Sequence, residues 1–306
     1  MKTIKLSLAA ALAAVGLSIV TAGAQNIFIS NNTGNTVAEF SPGGTLINAT
    51  FAAGLSQPAG LAFDSSGDLY VANQLASTIS EFDTNGTLIN TISGSGVSGP
   101  RGLAFDNSGD LYVANGNNAV SEYSPGGTLI TATFASGLNS PRGLAFDSRG
   151  DLYVANGSIL NTVSEFSPFG SLITSSFVSG LNNPRGLAFD SSGDLYVANN
   201  GNNTVSEFSP FGTLLNASFA STGLDEPVGL SFDSSGDLYV ANQIGNTVCE
   251  FNSSGTLINT LSGPGLSLPV YIAIFPEDTP EPSGLTLAAL GMCICLFLFL
   301  LRLKRG

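Results

Sequence analysis

Residues Pro184 to Thr213 read PRGLAFDSSGDLYVANNGNNTVSEFSPFGT, and this stretch decides the fold. Its opening proline recurs at Pro58, Pro100, Pro141, Pro184, Pro227 and Pro269, with spacings of 42, 41, 43, 43 and 42 residues. Self-similarity at such a period marks a repeat architecture. Each unit holds four short extended segments: GLAF, DLYVAN, TVSEF and a GTLIN-type segment such as Gly86 to Asn90. Turn chemistry separates them: Asp-Ser-Ser-Gly-Asp, then an Asn/Gly-rich loop, then Ser-Pro-Gly-Gly or Ser-Pro-Phe-Gly. Four antiparallel strands per repeat of about 40 residues describe a β-propeller blade.

The number of blades follows from the two ends of the array. Five full units run from Pro58 to Leu268, and the N-terminal stretch supplies only second, third and fourth strands (Asn26 to Ser30, Thr36 to Phe40, Thr45 to Phe51). The missing first strand lies at the far end, Pro269 to Phe275. Joining them predicts a sixth blade closed by N- and C-terminal strands, which removes the free edges of a linear array. The fold class is therefore all-β, a six-bladed propeller over residues 25–276. The small first strand suits a crowded axis, and the second strand, apolar on both faces, suits a blade covered by neighbours on each side.

These units resemble NHL-repeat propellers, which share the proline-glycine-apolar-Asp opening and the aromatic-rich second strand. The resemblance spans about Asn26 to Phe275. It implies a ring that serves as a binding or scaffolding surface; some relatives carry metal-dependent lactonase or lyase chemistry.

The flanks address export. Lys2 and Lys5, the apolar run Leu6 to Val20 and the small residues Ala22-Gly23-Ala24 form a secretory signal peptide over 1–24, cleaved after Ala24. At the other end, Pro280-Glu281-Pro282-Ser283 precedes 18 uncharged residues, Gly284 to Leu301, and then Arg302, Lys304 and Arg305. This order resembles the PEP-CTERM sorting signal of Gram-negative bacteria, and implies over 277–306 a transmembrane helix at about 284–301 and an exosortase-type processing partner. Its length spans most of a bilayer core, and the basic end stays cytoplasmic. Length and hydropathy alone also fit an ordinary tail anchor.

Charge narrows the partners. Outside the two flanks the only cations are Arg101, Arg142, Arg149 and Arg185, against 19 of the chain's 22 carboxylates, a balance of −15. Nucleic acid and anionic lipid surfaces are disfavoured as partners. Cys249 is alone in the repeat region, where Ser80, Ser121, Ser164 and Ser206 occupy its position, so it reads as a drifted strand residue.

Chemistry on a sixfold ring needs asymmetry, and little is present. The chain has no histidine, which removes the commonest general base and metal ligand and argues against the histidine-dependent lyases. Asn31, Asn73, Asn115, Asn156, Asn199 and Asn242 end the second strands; they form either a polar ring at the channel mouth or turn-closing residues. Glu39, Glu81, Glu122, Glu165, Glu207 and Glu250 sit in the third strands as a solvated or hydrogen-bonded row, too dispersed to converge on one hard cation. The Asp-Ser-Ser-Gly-Asp turns lack the remaining ligands of a calcium loop and read as hairpin turns.

Two features break the symmetry. The distance from the strand-two Asn to the strand-three Glu is 8, 8, 7, 9, 8 and 8 residues, so length varies in that loop, with one further insertion near Thr222. Arg101, Arg142 and Arg185 follow the blade-opening proline on three successive blades, where the others carry Ala59, Val228 and Val270. On the face of the variable loops they form a cationic arc suited to planar carboxylates such as uronic acids. Alternatively each pairs with a nearby acid or covers apolar surface. The sequence thus points to a non-enzymatic exported propeller with no cofactor or metal. It is placed at the outer surface or matrix of a Gram-negative cell, binding acidic polysaccharide or envelope protein; the alternative is a metal-dependent gluconolactonase-like hydrolase.

Overall fold

A computed structural model describes residues 25–275. These form six four-stranded antiparallel sheets. Blades one to five span residues 58–92, 103–135, 141–178, 184–220 and 227–261. The closing blade pairs the C-terminal strand Pro269–Ile274 with Ile27–Asn31, followed by Thr36–Phe40 and Leu46–Ala52. Its register sets Ile27 opposite Ile274, Phe28 opposite Ala273 and Ile29 opposite Ile272, as the split sixth unit requires. The signal peptide and sorting segment expected at 1–24 and 277–306 lie outside the described residues. Among the described residues no helix is long and apolar enough to cross a membrane.

Among the described residues the apolar clusters lie in seams between blades. One cluster, for example, joins Tyr70, Ala72 and Ile79 of blade one to Leu103, Leu111 and Val113 of blade two. The second strands are buried throughout, Leu69–Asn73 being typical, because each is sandwiched between neighbours. At five seams an aromatic ring of the second strand meets the next blade's inner-strand Phe edge-on: Phe28 on Phe63, Tyr70 on Phe105, Tyr112 on Phe146, Tyr153 on Phe189 and Tyr196 on Phe232, with centroids 4.9 to 5.1 Å apart. Such pairs add roughly 0.5–1.5 kcal/mol beyond their buried area.

Close backbone approach around the axis explains the glycine of the inner strand. A Cβ on Gly60, Gly102 or Gly143 would run into the carbonyl oxygen of Arg101, Arg142 or Arg185 on the following blade. In the closing blade the glycine position is occupied by Tyr271.

A sixfold latch fastens each blade to the next. A residue just before each third strand adopts positive φ, as at Asn35, Asn161 and, one residue farther out, Asn118, and its side chain accepts a hydrogen bond from the amide preceding the next blade's proline. These pairs are Gln57 to Asn35, Gly99 to Ser77, Ser140 to Asn118, Asn183 to Asn161, Glu226 to Asn203 and Leu268 to Asn246. Asn tolerates the left-handed region better than most residues, which accounts for its dominance there.

Candidate functional site

The six strand-two asparagines belong to the scaffold and not to a binding face. All are buried. Each Oδ1 accepts from a backbone amide in the crossover entering its own blade, for instance Ser98 N to Asn115 at 2.9 Å and Asn139 N to Asn156 at 3.0 Å. The other four follow suit: Ser56 N to Asn73, Asn182 N to Asn199, Asp225 N to Asn242 and Ser267 N to Asn31. Each amide nitrogen then donates inward: Asn73, Asn115, Asn156 and Asn199 to a strand-three serine, Asn242 to the Cys249 sulfur and Asn31 to the Gly265 carbonyl. With donor and acceptor committed inside the blade, the expected polar ring at the mouth does not form. The turn-closing alternative holds only in part: Nδ2 of Asn73 and Asn242 also reaches Thr78 and Thr247 across the following loop, but none of the six has positive φ, and what they chiefly fasten is the crossover into the blade; Cys249 stands in a serine's bonding place.

The three arginines do converge. Arg101, Arg142 and Arg185 line a cavity of about 100 Å³ together with Tyr271, Ala59, Val228 and Val270. Arg142 has room because the residue after its strand-two asparagine is glycine: a Cβ at Gly157 would lie 3.0 Å from Arg142 Nε, whereas one at Gly116 would meet Arg101 Nη2 only at an ordinary 3.9 Å. The corresponding residues Asn32, Gln74 and Gln243 of other blades also line the cavity.

No acid neutralises them at contact distance. Among the described residues the ion pairs all involve Arg149. Arg101 donates from Nη1 to Ser140 Oγ at 2.8 Å, and the Nε of all three is buried without a hydrogen-bond partner. Burial, and then the charges of Arg185 and Arg101, lower the Arg142 pKa to about 10; burial lowers Arg185 as well. Tyr271 feels all three guanidiniums, yet burial still raises its pKa, so its phenol remains neutral. An unsatisfied buried donor costs about 1–3 kcal/mol, and three like charges held together add repulsion. An oxygen-rich anion would relieve both.

At the opposite end of each inner strand the acidic turns behave as expected. Asp64 Oδ1 accepts from Ser66 N and Asp68 N, each at 2.9 Å, and Gly67 has φ +84°. The glutamate row is not isolated from them, however. Antiparallel pairing sets Glu81 opposite Tyr70, two residues on from Asp68, and Asp64, Asp68 and Glu81 present oxygens within 4.8 Å of one another; Asp233, Asp237 and Glu250 do the same. Tyr112, Tyr153 and Tyr196 donate to Glu122, Glu165 and Glu207 at 2.9, 2.8 and 3.0 Å, while Glu39 accepts from Asn26. Burial, then the neighbouring turn aspartate, pushes Asp68, Asp110, Asp194 and Asp237 above the usual carboxylate range. In blade three the protein supplies its own cation: Arg149 lies 2.8 Å from Asp147, 3.2 Å from Asp151 and 3.7 Å from Glu165. Reading turn and strand separately missed this grouping, although residue alternation and hairpin register carried the signal.

An NHL-repeat family model matches residues 181–208, the approach to blade four and its first three strands. The chain is a six-bladed β-propeller carrying an NHL repeat. No curated protein matches the sequence. Among solved structures it is similar to a chain of a nidogen/laminin complex (19% identity, TM-score 0.70, 82% of this chain and 98% of that one). It is also similar to the gluconolactonase XC5397 of Xanthomonas campestris (20%, 0.62, 81% and 90%) and to a streptogramin B lyase (18%, 0.56, 84% and 75%). At these identities the likeness concerns the fold, which binding proteins and enzymes share.

Proposed function

We propose that this chain is an exported, non-enzymatic propeller that binds acidic polysaccharide or an acidic envelope protein at the outer surface or in the extracellular matrix of a Gram-negative cell. The observation that carries it is the set of three guanidiniums, on three successive blades only, gathered at one cavity without a contacting carboxylate. On a ring whose strand-two asparagines are spent on fastening crossovers, this is where the symmetry breaks at the axis. Variable loops end on the same face, and blade three's longer loop presents Ile159 at 77% exposure. Delivery follows the PEP-CTERM route, on the strength of Pro280 to Ser283, the apolar run and the basic end. A mature mass starting at Gln25 and lacking Arg302 to Gly306 tests that route, and a surface form retaining those residues defeats it.

The binding reading is tested on immobilised polygalacturonate and a neutral glucan. Replacing Arg101, Arg142 and Arg185 together with Gln is expected to weaken polyuronate binding at least tenfold, with the wild-type interaction fading as salt screens it. Binding that survives the triple substitution, or that falls equally in Arg149→Gln at the opposite end of the strands, removes this face.

A second reading, a gluconolactonase-like hydrolase, draws on the carboxylate groupings Asp64/Asp68/Glu81 and Asp233/Asp237/Glu250. It requires a stoichiometric divalent ion and a metal-dependent rise in melting temperature, together with lactone hydrolysis. The arginine cavity offers no carboxylate to such an ion, which favours the binding reading at the axis.

A further inference from the structure

The cavity is divided in two. Going round the ring, the second residue of each unit is Arg101, Arg142 and Arg185 over blades two to four, then Val228, Val270 and Ala59 over blade five, the closing blade and blade one. One half of the mouth is cationic with unsatisfied Nε–H donors; the other sets the aliphatic side chains of Val228, Val270 and Ala59 beside the neutral amides of Asn32, Gln74 and Gln243. Tyr271 also lines this space, with a neutral phenol near all three guanidiniums. At about 100 Å³ the space is far below the roughly 300–1,000 Å³ of sites that enclose a drug-sized ligand. A polysaccharide strand cannot lie inside it, but one charged group with part of its carrier can enter.

We propose that the mouth is a socket for a single acidic sugar unit taken end-on, its oxyanion turned to Arg101, Arg142 and Arg185 and its C–H face to Val228, Val270 and Ala59. The inference rests on the binding reading of this face and adds to it a stoichiometry of one unit per ring and a preference for a terminal or pendant acid over the interior of a chain. Guanidinium forks suit a carboxylate and a sulfate ester alike, since both offer oxygens to parallel N–H donors. The uncharged half distinguishes a sugar acid from a bare inorganic anion, because only the former has C–H surface to set against Val228, Val270 and Ala59 and hydroxyls to meet the amides of Asn32, Gln74 and Gln243.

Titration calorimetry of the purified protein with glucuronate, glucose 6-sulfate and glucose tests this. The expected result is one site per chain for glucuronate or the 6-sulfate, whichever binds identifying the oxyanion, with glucose at least tenfold weaker and the acid displacing polyuronate in competition. Arg142→Gln should lower the acid's affinity at least tenfold. Val228→Asp, which sets a carboxylate opposite the arginines, should do the same through a different position and keeps the test valid if one variant folds poorly. Glucose binding as tightly as the acids, or several equivalent sites per chain, overturns the socket. So does polyuronate binding that depends on the arginines but is not displaced by either acidic monomer, and this outcome leaves the proposed function standing. Polyuronate binding indifferent to the arginines brings down both.

Discussion

A chain ending after Leu268 is expected to lose its cooperative unfolding transition and to aggregate, whereas one ending after Pro276 should melt like the full protein. The difference between the two is the closing strand Pro269–Ile274 and Phe275. Without that strand, the buried strand Ile27–Asn31 loses its partner along one edge, Ile272 and Ala273 leave two seams, and buried Val270 is lost from the axial cavity. The Phe275 ring, 5.1 Å from Phe63, goes with them. Burial of a large aliphatic side chain contributes about 1.5–3 kcal/mol, so the loss is several kcal/mol against a total stability of roughly 5–15 kcal/mol. The opened sheet edge then offers unpaired amides to other chains. Calorimetry with light scattering checks this, and equal transitions for both truncations would mean that the ring is closed some other way.

The second large effect is expected at the axis. Gly102→Ala should destabilise the protein by about 3 kcal/mol or more, at the upper end for an overpacked position, because the new methyl group meets the Arg142 carbonyl on the next blade. The obstacle is backbone, held on both sides by neighbouring blades, so no side chain can swing aside. Gly126→Ala serves as the control: nothing lies within 4 Å of its Cβ, and its effect should stay within about 1 kcal/mol. Thermal melting of the pair checks the contrast, and similar melting points would show that the blades can spread apart at the axis.

The architecture was legible because the repeat states it six times. Proline spacing, strand alternation and the orphan strand at Pro269 each point to a closed ring, and tertiary packing had nothing to override. The candidate site was legible only in part. Arg101, Arg142 and Arg185 share a repeat position, so their convergence on one end of the axis followed from symmetry. Whether a carboxylate met them did not, because distances between blades depend on how the seams pack. Asn115 and its five equivalents illustrate the limit: a polar residue at a strand end can face solvent or fasten a crossover, and only the position of Ser98 N decides. The latch residues were concealed for a related reason. Asn118 and Asn161 sit in loops of unequal length, which look free to vary, yet each of these two residues is bound to the next blade.

The distance along the chain between the two halves of the closing blade is also a distance in time. Ser30 exchanges hydrogen bonds with the backbone of Tyr271, 241 residues later. At about 5–20 residues per second, a ribosome needs roughly ten to fifty seconds to make what lies between. Throughout that interval the first three strands have no inner partner, and no blade array, however complete, can seal. A chain emerging from a ribosome or threading through a translocation pore is therefore kept open by its own topology until nearly the last strand arrives. The step that completes the ring falls a few residues before Pro280 to Ser283, the segment proposed above as a sorting motif.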